Sequence, residues 1–194
     1  MSEFKDLGFK RFVLVFILFI CVSQVQAQEY NLVNKESSLK VYGTSSLHDW
    51  NVGAENQSGK INFSFSESFI IHKLSLVVVS ESLKSGKSGM DKNTYKALKT
   101  KQYKSITFTL TKVNNITDKG SGIYEVKGQG DLSVAGTTKN ITVTLKVIVT
   151  SSKITIEGEK KFKMTDFKIE PPTALLGTIT TGDEINVKFL TTFK

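Results

Sequence analysis

Few residues in this chain have chemistry to offer. His48-Asp49-Trp50 is the one place where a base, a carboxylate and an aromatic ring adjoin, a set that could act as general base, orienting acid and stacking surface. A β-strand sends neighbouring side chains to opposite faces, so His48 and Asp49 share a site only if they leave a turn or a bulge. The structural alternative gives Asp49 to nearby backbone amides and lets Trp50 close one end of the fold. The second histidine, His72, is remote in sequence, and two such histidines do not make a metal-ligand motif. No metal or cofactor is expected. Asp166 and Asp183 flank a loop containing Pro171 and Pro172; they could be read as paired carboxylates, but pinning the loop is the better reading. Neither a phosphate-cradling glycine loop nor a Gly-x-Ser-x-Gly elbow occurs.

Charge narrows the partners. The formal net charge is +8, yet Arg11 is the only arginine. Bidentate reading of phosphates and guanine edges favours arginine, so specific nucleic-acid recognition is not expected. Lysines crowd the segment Lys84, Lys87, Lys92, Lys96, Lys99, Lys101 and Lys104, opposed there by Asp91. This is either a solvated helix face or a docking patch for anionic membrane, with Lys92, Lys96 and Lys99 as the docking candidates.

The elements that must position these residues begin after a leader. Lys5, Lys10 and Arg11 precede the apolar run Phe12 to Val22, which is followed by Val25-Gln26-Ala27. This is the order of a cleaved secretory signal peptide over residues 1–27, too short in its apolar part to span a bilayer. Ile20 before Cys21 argues against lipoprotein processing. Cys21 is the sole cysteine, so the remaining domain, residues 28–194, is expected to fold without disulfides.

Within that domain the dominant signal is period-two alternation. It is cleanest at Ile141, Val143, Leu145, Val147 and Val149, and recurs at Leu39/Val41, Ile61/Phe63/Phe65, Leu74/Leu76/Val78, Ile106/Phe108/Leu110, Tyr124/Val126/Leu132/Val134, Ile154/Ile156, Phe162/Met164 and Ile185/Val187/Phe189. Gly128 and Gly130 fall on the apolar phase, where glycine marks a bend or a close approach. The stripes predict eight or nine strands. Residues 90–102 read as one short amphipathic helix, with Tyr95 and Leu98 on the packing side. Strands of this kind need a second sheet or closure on themselves. Closure gives a barrel wide enough for side chains or for one ligand; the pattern alone leaves packed core and ligand-lined lumen both open, with packed core the default.

Four segments are more specific: Gly43-Thr-Ser-Ser-Leu-His-Asp-Trp50, Met90-Asp-Lys-Asn-Thr-Tyr-Lys-Ala-Leu98, Gly130-Asp-Leu-Ser-Val-Ala-Gly-Thr-Thr-Lys139, and Met164-Thr-Asp-Phe-Lys-Ile-Glu-Pro-Pro172. In order and spacing they resemble the YceI-like family of exported lipid-binding proteins. The resemblance implies an all-β fold, a closed antiparallel eight-stranded lipocalin-like β-barrel with one short amphipathic helix. It also implies bacterial periplasmic residence and a long apolar lipid, of polyisoprenoid or isoprenoid-quinone type, carried in the lumen without catalysis. The lumen candidates are then Phe63, Phe65, Leu74 and Leu76; Ile106, Phe108 and Leu132; Ile141, Val143 and Leu145; and Ile154, Ile156 and Met164. His48, Asp49, Trp50, Asp166 and Phe167 are candidates for the barrel end or the lipid head. Thr165 stands where many members of the family have a basic residue, so head-group contacts need not transfer. A barrel enzyme acting on an apolar substrate and a β-sandwich protein-interaction module are the competing classes, and a homodimer is left open.

Overall fold

The computed structural model describes residues 27–65 and 68–194; the expected leader, apart from Ala27, lies outside them. Among the described residues twelve strands form, β1 (Gln28–Asn31), β2 (Ser38–Ser45), β3 (Trp50–Ala54), β4 (Gln57–Phe65), β5 (Phe69–Val79), β6 (Leu83–Lys84), β7 (Ser105–Asp118), β8 (Ile123–Val134), β9 (Thr137–Val149), β10 (Ile154–Lys163), β11 (Thr173–Ala174) and β12 (Ile179–Phe193), with one α-helix, α1 (Ser88–Ala97). Eleven strands pair in the order β1-β4-β5-β7-β8-β9-β10-β12-β2-β3-β6, and β11 pairs off this path with β12. All pairings are antiparallel.

This corrects the expected closed eight-stranded barrel: the path is open, and the sheet curls into a half-barrel. The nine stripes fall on the eight long strands, because Ile154/Ile156 and Phe162/Met164 mark the two ends of one strand, β10. The four strands of five residues or fewer carry too little alternation to be read. One of them is decisive, because β1 occupies the edge of β4 through Tyr30↔Ile61 and its neighbours. That edge therefore cannot zip onto β3, although β3 and β4 are consecutive in sequence. The seam is sealed by side chains instead. Val52 of β3, Val78 of β5 and Leu83 of β6 are buried together, with Met90 and Leu98 of the helical segment packed against them.

Bulges bend the long strands. Ladder shifts lie between Asn62 and Phe63 of β4, which leaves His72 unpaired on β5, and at two places along β7. The inward phase on β5 consequently passes from Phe69 and Ile71 to Leu74 and Val78, all buried. His72 sits at that irregularity rather than on a regular strand, with its Nε2 2.8 Å from Ser64 Oγ.

The inward glycines of β8 face the bent stretch of β7. A Cβ on Gly130 would stand 2.4 Å from ring carbons of Phe108 and 2.7 Å from the Thr109 carbonyl, and one on Gly128 would stand 2.6 Å from the Lys112 carbonyl. Both glycines thus permit a close approach. Rings also lie over Gly43 (Trp50) and Gly158 (Phe189), each pair directly opposite across a ladder.

Candidate functional site

One end of the half-barrel is filled and the other is hollow. At the filled end Phe63 packs edge-on against Tyr30 and Phe65 at ring distances of 5.1 and 6.0 Å, and Phe69 stacks on Tyr124 at 4.7 Å. Ile61, Ile154, Val147 and Phe193 are fully buried in the same cluster. Above this floor runs a cavity of about 720 Å³, in the range of small-molecule pockets.

Ten of the thirteen lumen candidates stand in the cavity wall: Leu74 and Leu76 of β5, Ile106 and Phe108 of β7, Leu132 of β8, Ile141, Val143 and Leu145 of β9, Ile156 of β10, and Met164. Three stand elsewhere. Phe63 and Ile154 belong to the floor, and Phe65, though in the inward phase of β4, lies beyond it at the strand end and is 50% exposed. Alternation does not reveal where along a strand the hollow stops. Leu39 and Val41 of β2 and Ile185, Val187 and Phe189 of β12 complete the wall. Their stripes are visible in the sequence, although the candidate set omits them.

Lys160 also lines the cavity and was missed. It continues the inward phase of β10 through Ile156, Gly158, Lys160, Phe162 and Met164, so a cation interrupting an apolar stripe was the available signal.

The open end is built by three segments. The first is the β2–β3 turn. Ser45 Oγ accepts from the amides of Leu47 and His48 at 3.3 and 3.2 Å and donates to the His48 carbonyl at 2.7 Å. Ser45 therefore does the backbone work expected of Asp49, whose side chain is exposed and, among the described residues, holds no such bond. His48 lines the mouth with Nδ1 2.8 Å from the Asp49 carbonyl oxygen. Trp50 lines it too, fixed by its Nε1–H donating to the Thr44 carbonyl at 2.9 Å.

The second segment is α1. Met90, Thr94, Ala97 and Leu98 face the cavity, while the Tyr95 hydroxyl turns away to the carbonyls of Glu81 and Leu83 at 2.8 and 3.1 Å. Asp91 closes the preceding loop: its carboxylate accepts from the hydroxyl and amide of Ser85 at 2.6 and 2.8 Å, which holds Asp91 below the ordinary carboxylate range. The helix is shorter than the 90–102 window. Lys99 follows its C-cap with φ 51°, Lys92 lines the cavity, and Lys96 points to solvent. All three docking candidates are exposed, Lys92 and Lys96 four residues apart on the helix and Lys99 just past its C-cap.

The third segment is the turn Met164–Phe167 and the loop beyond. Asp166 Oδ2 accepts the Lys163 amide at 3.0 Å, capping its own turn. Asp183 accepts from the Thr165 hydroxyl and amide at 2.6 and 2.9 Å, so Thr165 keeps the Asp183 carboxyl below its usual value. Phe167 is buried against Phe162 at 5.1 Å, with Val134, Met164 and Ile169 around it. Asp166 and His48 each serve local backbone, and of the two only His48 lines the cavity. Among the described residues no cluster of histidine, cysteine and carboxylate side chains could hold a metal ion.

The fold has solved counterparts. A polyisoprenoid binding domain from Saccharophagus degradans implicated in plant cell wall breakdown superposes with a TM-score of 0.68 at 17% identity, covering 85% of this chain and 97% of that one. BcnA of Burkholderia cenocepacia gives 0.66 at 17% identity, with coverages of 83% and 98%. The YceI protein of Campylobacter jejuni gives 0.54 at 22% identity, with coverages of 72% and 81%. No curated protein sequence matches. At such identities the structures speak for the fold alone, but the model of the YceI-like domain matches residues 30–193, nearly the whole span of the half-barrel and all of its cavity wall, and the chain therefore belongs to the YceI-like family.

Proposed function

We propose that the protein is a binding and carrier protein that holds one long apolar lipid, of polyisoprenoid or isoprenoid-quinone type, in the cavity above the aromatic floor. The observation that carries this reading is the hollow itself: inward stripes from β2, β5, β7, β8, β9, β10 and β12 converge on about 720 Å³ of largely apolar space instead of interdigitating. A packed sandwich would have filled it. Each buried CH₂ of a ligand gives about 0.8 kcal/mol, so a long hydrocarbon has ample drive to enter after association costs are met. The domain named for polyisoprenoid binding in Saccharophagus degradans shares the fold, which supports this ligand class over others. The leader-like segment supports export, and with it a periplasmic site of action.

Lipid exchange with a membrane is part of the same proposal. Leu47 is 66% exposed and Leu176 fully exposed, on two loops at the open end. These loops are tied together by Ser46 N–H to the Thr180 carbonyl at 2.9 Å and Thr180 N–H to Ser46 Oγ at 3.1 Å. Apolar tips beside a lysine-bearing rim suit an anionic bilayer surface.

The test is purification from the native host under mild conditions, followed by mass spectrometry of an organic extract. One long-chain lipid in near-stoichiometric amount is expected. Protein that emerges empty from its own host, and that takes up no long-chain probe afterwards, would refute the reading.

A further inference from the structure

Lys160 is out of place. On β10 the outward positions carry charges in pairs across the sheet: Glu157 with Lys146 at 3.2 Å, Glu159 with Lys188 at 3.7 Å, and Lys161 with Glu184 at 4.0 Å. Lys160 has the opposite phase, lines the cavity and is partly buried, and among the described residues its ammonium has no hydrogen bond or ion pair. The ladder fixes its height. It lies opposite Val187, which pairs with Val41, which pairs with Val52, so the rest of its cross-section on that side is valine.

Four residues separate Lys160 from Ile156 at the floor and four from Met164 above. At about 3.3 Å per residue the ammonium is rooted roughly 13 Å from each end of the stripe, in the middle of the wall. Leu145, Val143 and Ile141 line the facing edge of β9, where the β9–β10 ladder ends at Lys146↔Glu157. Taking a cation out of water without a counter-charge is costly; on β10 and β12 Glu157, Glu159 and Glu184 are each paired with another lysine, and Asp183 is held by Thr165.

We propose that Lys160 is the head-group selector of the cavity: it pairs with a single anionic terminus, carboxylate or phosphate, on a long apolar chain. This deepens the lipid-carrier reading and rests on it. The polar end of the ligand would lie inside the protein, beside Lys160, with the chain against the apolar wall. A charge-assisted hydrogen bond in a water-poor site is worth more than its neutral counterpart. An acid should therefore bind roughly tenfold or more tighter than the alcohol with the same chain.

The single tryptophan, Trp50, lines the mouth and serves as the fluorescence reporter. The probes are farnesyl monophosphate, farnesoic acid and farnesol, titrated into wild type, Lys160→Met and the outward control Lys146→Met. Wild type and Lys146→Met should bind one or both acids at least about tenfold tighter than farnesol. Lys160→Met should lose that preference while keeping farnesol affinity, and its unliganded melting temperature should not fall, because it exchanges an unpaired cation for an apolar side chain of similar length. The arms with phosphate and carboxylate tell the two head groups apart. If wild type binds acids and alcohol alike, or if Lys160→Met weakens all three probes equally, Lys160 is only a lysine whose stem lines the wall while its ammonium reaches water, and the selector is overturned although the carrier reading stands. If no probe binds wild type, the selector falls, and the carrier reading falls with it where the protein also emerges empty from its own host.

Discussion

Replacing Leu145 by aspartate tests the inside–outside register at its cleanest strand. Leu145 is 2% exposed, pairs with Val126 across the β8–β9 ladder, and joins the floor to the cavity wall. Removing its side chain forfeits about 1.5–3 kcal/mol of burial. The carboxylate that replaces it faces Val126, Val143 and Val147, none of which can donate a hydrogen bond from its side chain, so desolvation adds several kcal/mol more. A total loss of about 5 kcal/mol is comparable with the whole stability of many domains. The neighbouring substitution Thr144→Asp is the control. Thr144 is exposed and lies opposite Lys127, so the weak strand propensity of aspartate is offset by an opposite charge across the ladder, leaving a net change within about 0.5 kcal/mol. Urea denaturation followed by far-ultraviolet circular dichroism and Trp50 emission gives both values, with unchanged slopes showing that stability moved and not the unfolded ensemble. Comparable midpoints for the two variants would refute the register and, with it, the assignment of the β9 residues to the cavity wall.

Gly130→Ala should cost about 1–3 kcal/mol in the same assay, since the new methyl collides with Phe108 and the Thr109 carbonyl, and it should also reduce uptake of a long-chain probe as Phe108 is forced toward the hollow. The Thr165–Asp183 bonds depress the Asp183 pKa, so their stabilisation is full above the ordinary carboxylate value of about 3.9 and is lost as pH falls through the lower folded value; acid titration should show wild type losing stability below about pH 4 and Asp183→Asn lacking that part of the fall. In vesicle cosedimentation, Leu47→Ser with Leu176→Ser should weaken binding to anionic bilayers at all salt concentrations. Lys92→Gln with Lys96→Gln should instead remove only the salt-sensitive part; equal binding by all variants would count against membrane exchange at this end.

What the sequence could and could not reveal divides along physical lines. Alternation located the wall because burial on one face of a strand is a local property, written every second residue. Ile141, Val143 and Leu145 needed no further information. Closure is not local. Gln28–Asn31 carries no apolar stripe, yet its pairing with β4 decides that the sheet stays open. Phe63, Phe65 and Ile154 share the inward phase of the wall, and whether they line a hollow or plug it depends on Tyr30, Phe69 and Tyr124 arriving from other strands. The helix was visible, but its end at Ala97 was not, because Lys99 adopts a left-handed conformation that lysine does not advertise. Asp49 and Ser45 exchanged roles for a similar reason: either could bond the turn amides, and only the turn geometry chooses.

The same division explains how a hollow survives in a small domain. Apolar walls left facing each other across about 720 Å³ forgo the dispersion contacts that a filled core would make, so stability must be concentrated elsewhere. The floor supplies it, with Ile61, Phe63, Val126, Val147, Ile154 and Phe193 all buried in one cluster. The seam cluster of Val52, Val78 and Leu83 supplies more where the hydrogen-bond path is open. The open end is held by polar bonds of a different kind, Ser45 to its turn, Asp91 to Ser85 and Asp183 to Thr165, which fix loops without filling space. Two consequences separate under perturbation. Truncating floor residues should unfold the protein with or without ligand. Truncating wall residues such as Val41 or Val187 should cost little in the empty protein, because they enlarge a space already empty, and should cost more in the ligand-bound form, where the lost contacts are with the lipid. A ligand-dependent gap between floor and wall variants in thermal unfolding is the expected signature; wall and floor variants that lose equal stability in the empty protein would show that the unliganded chain collapses its cavity.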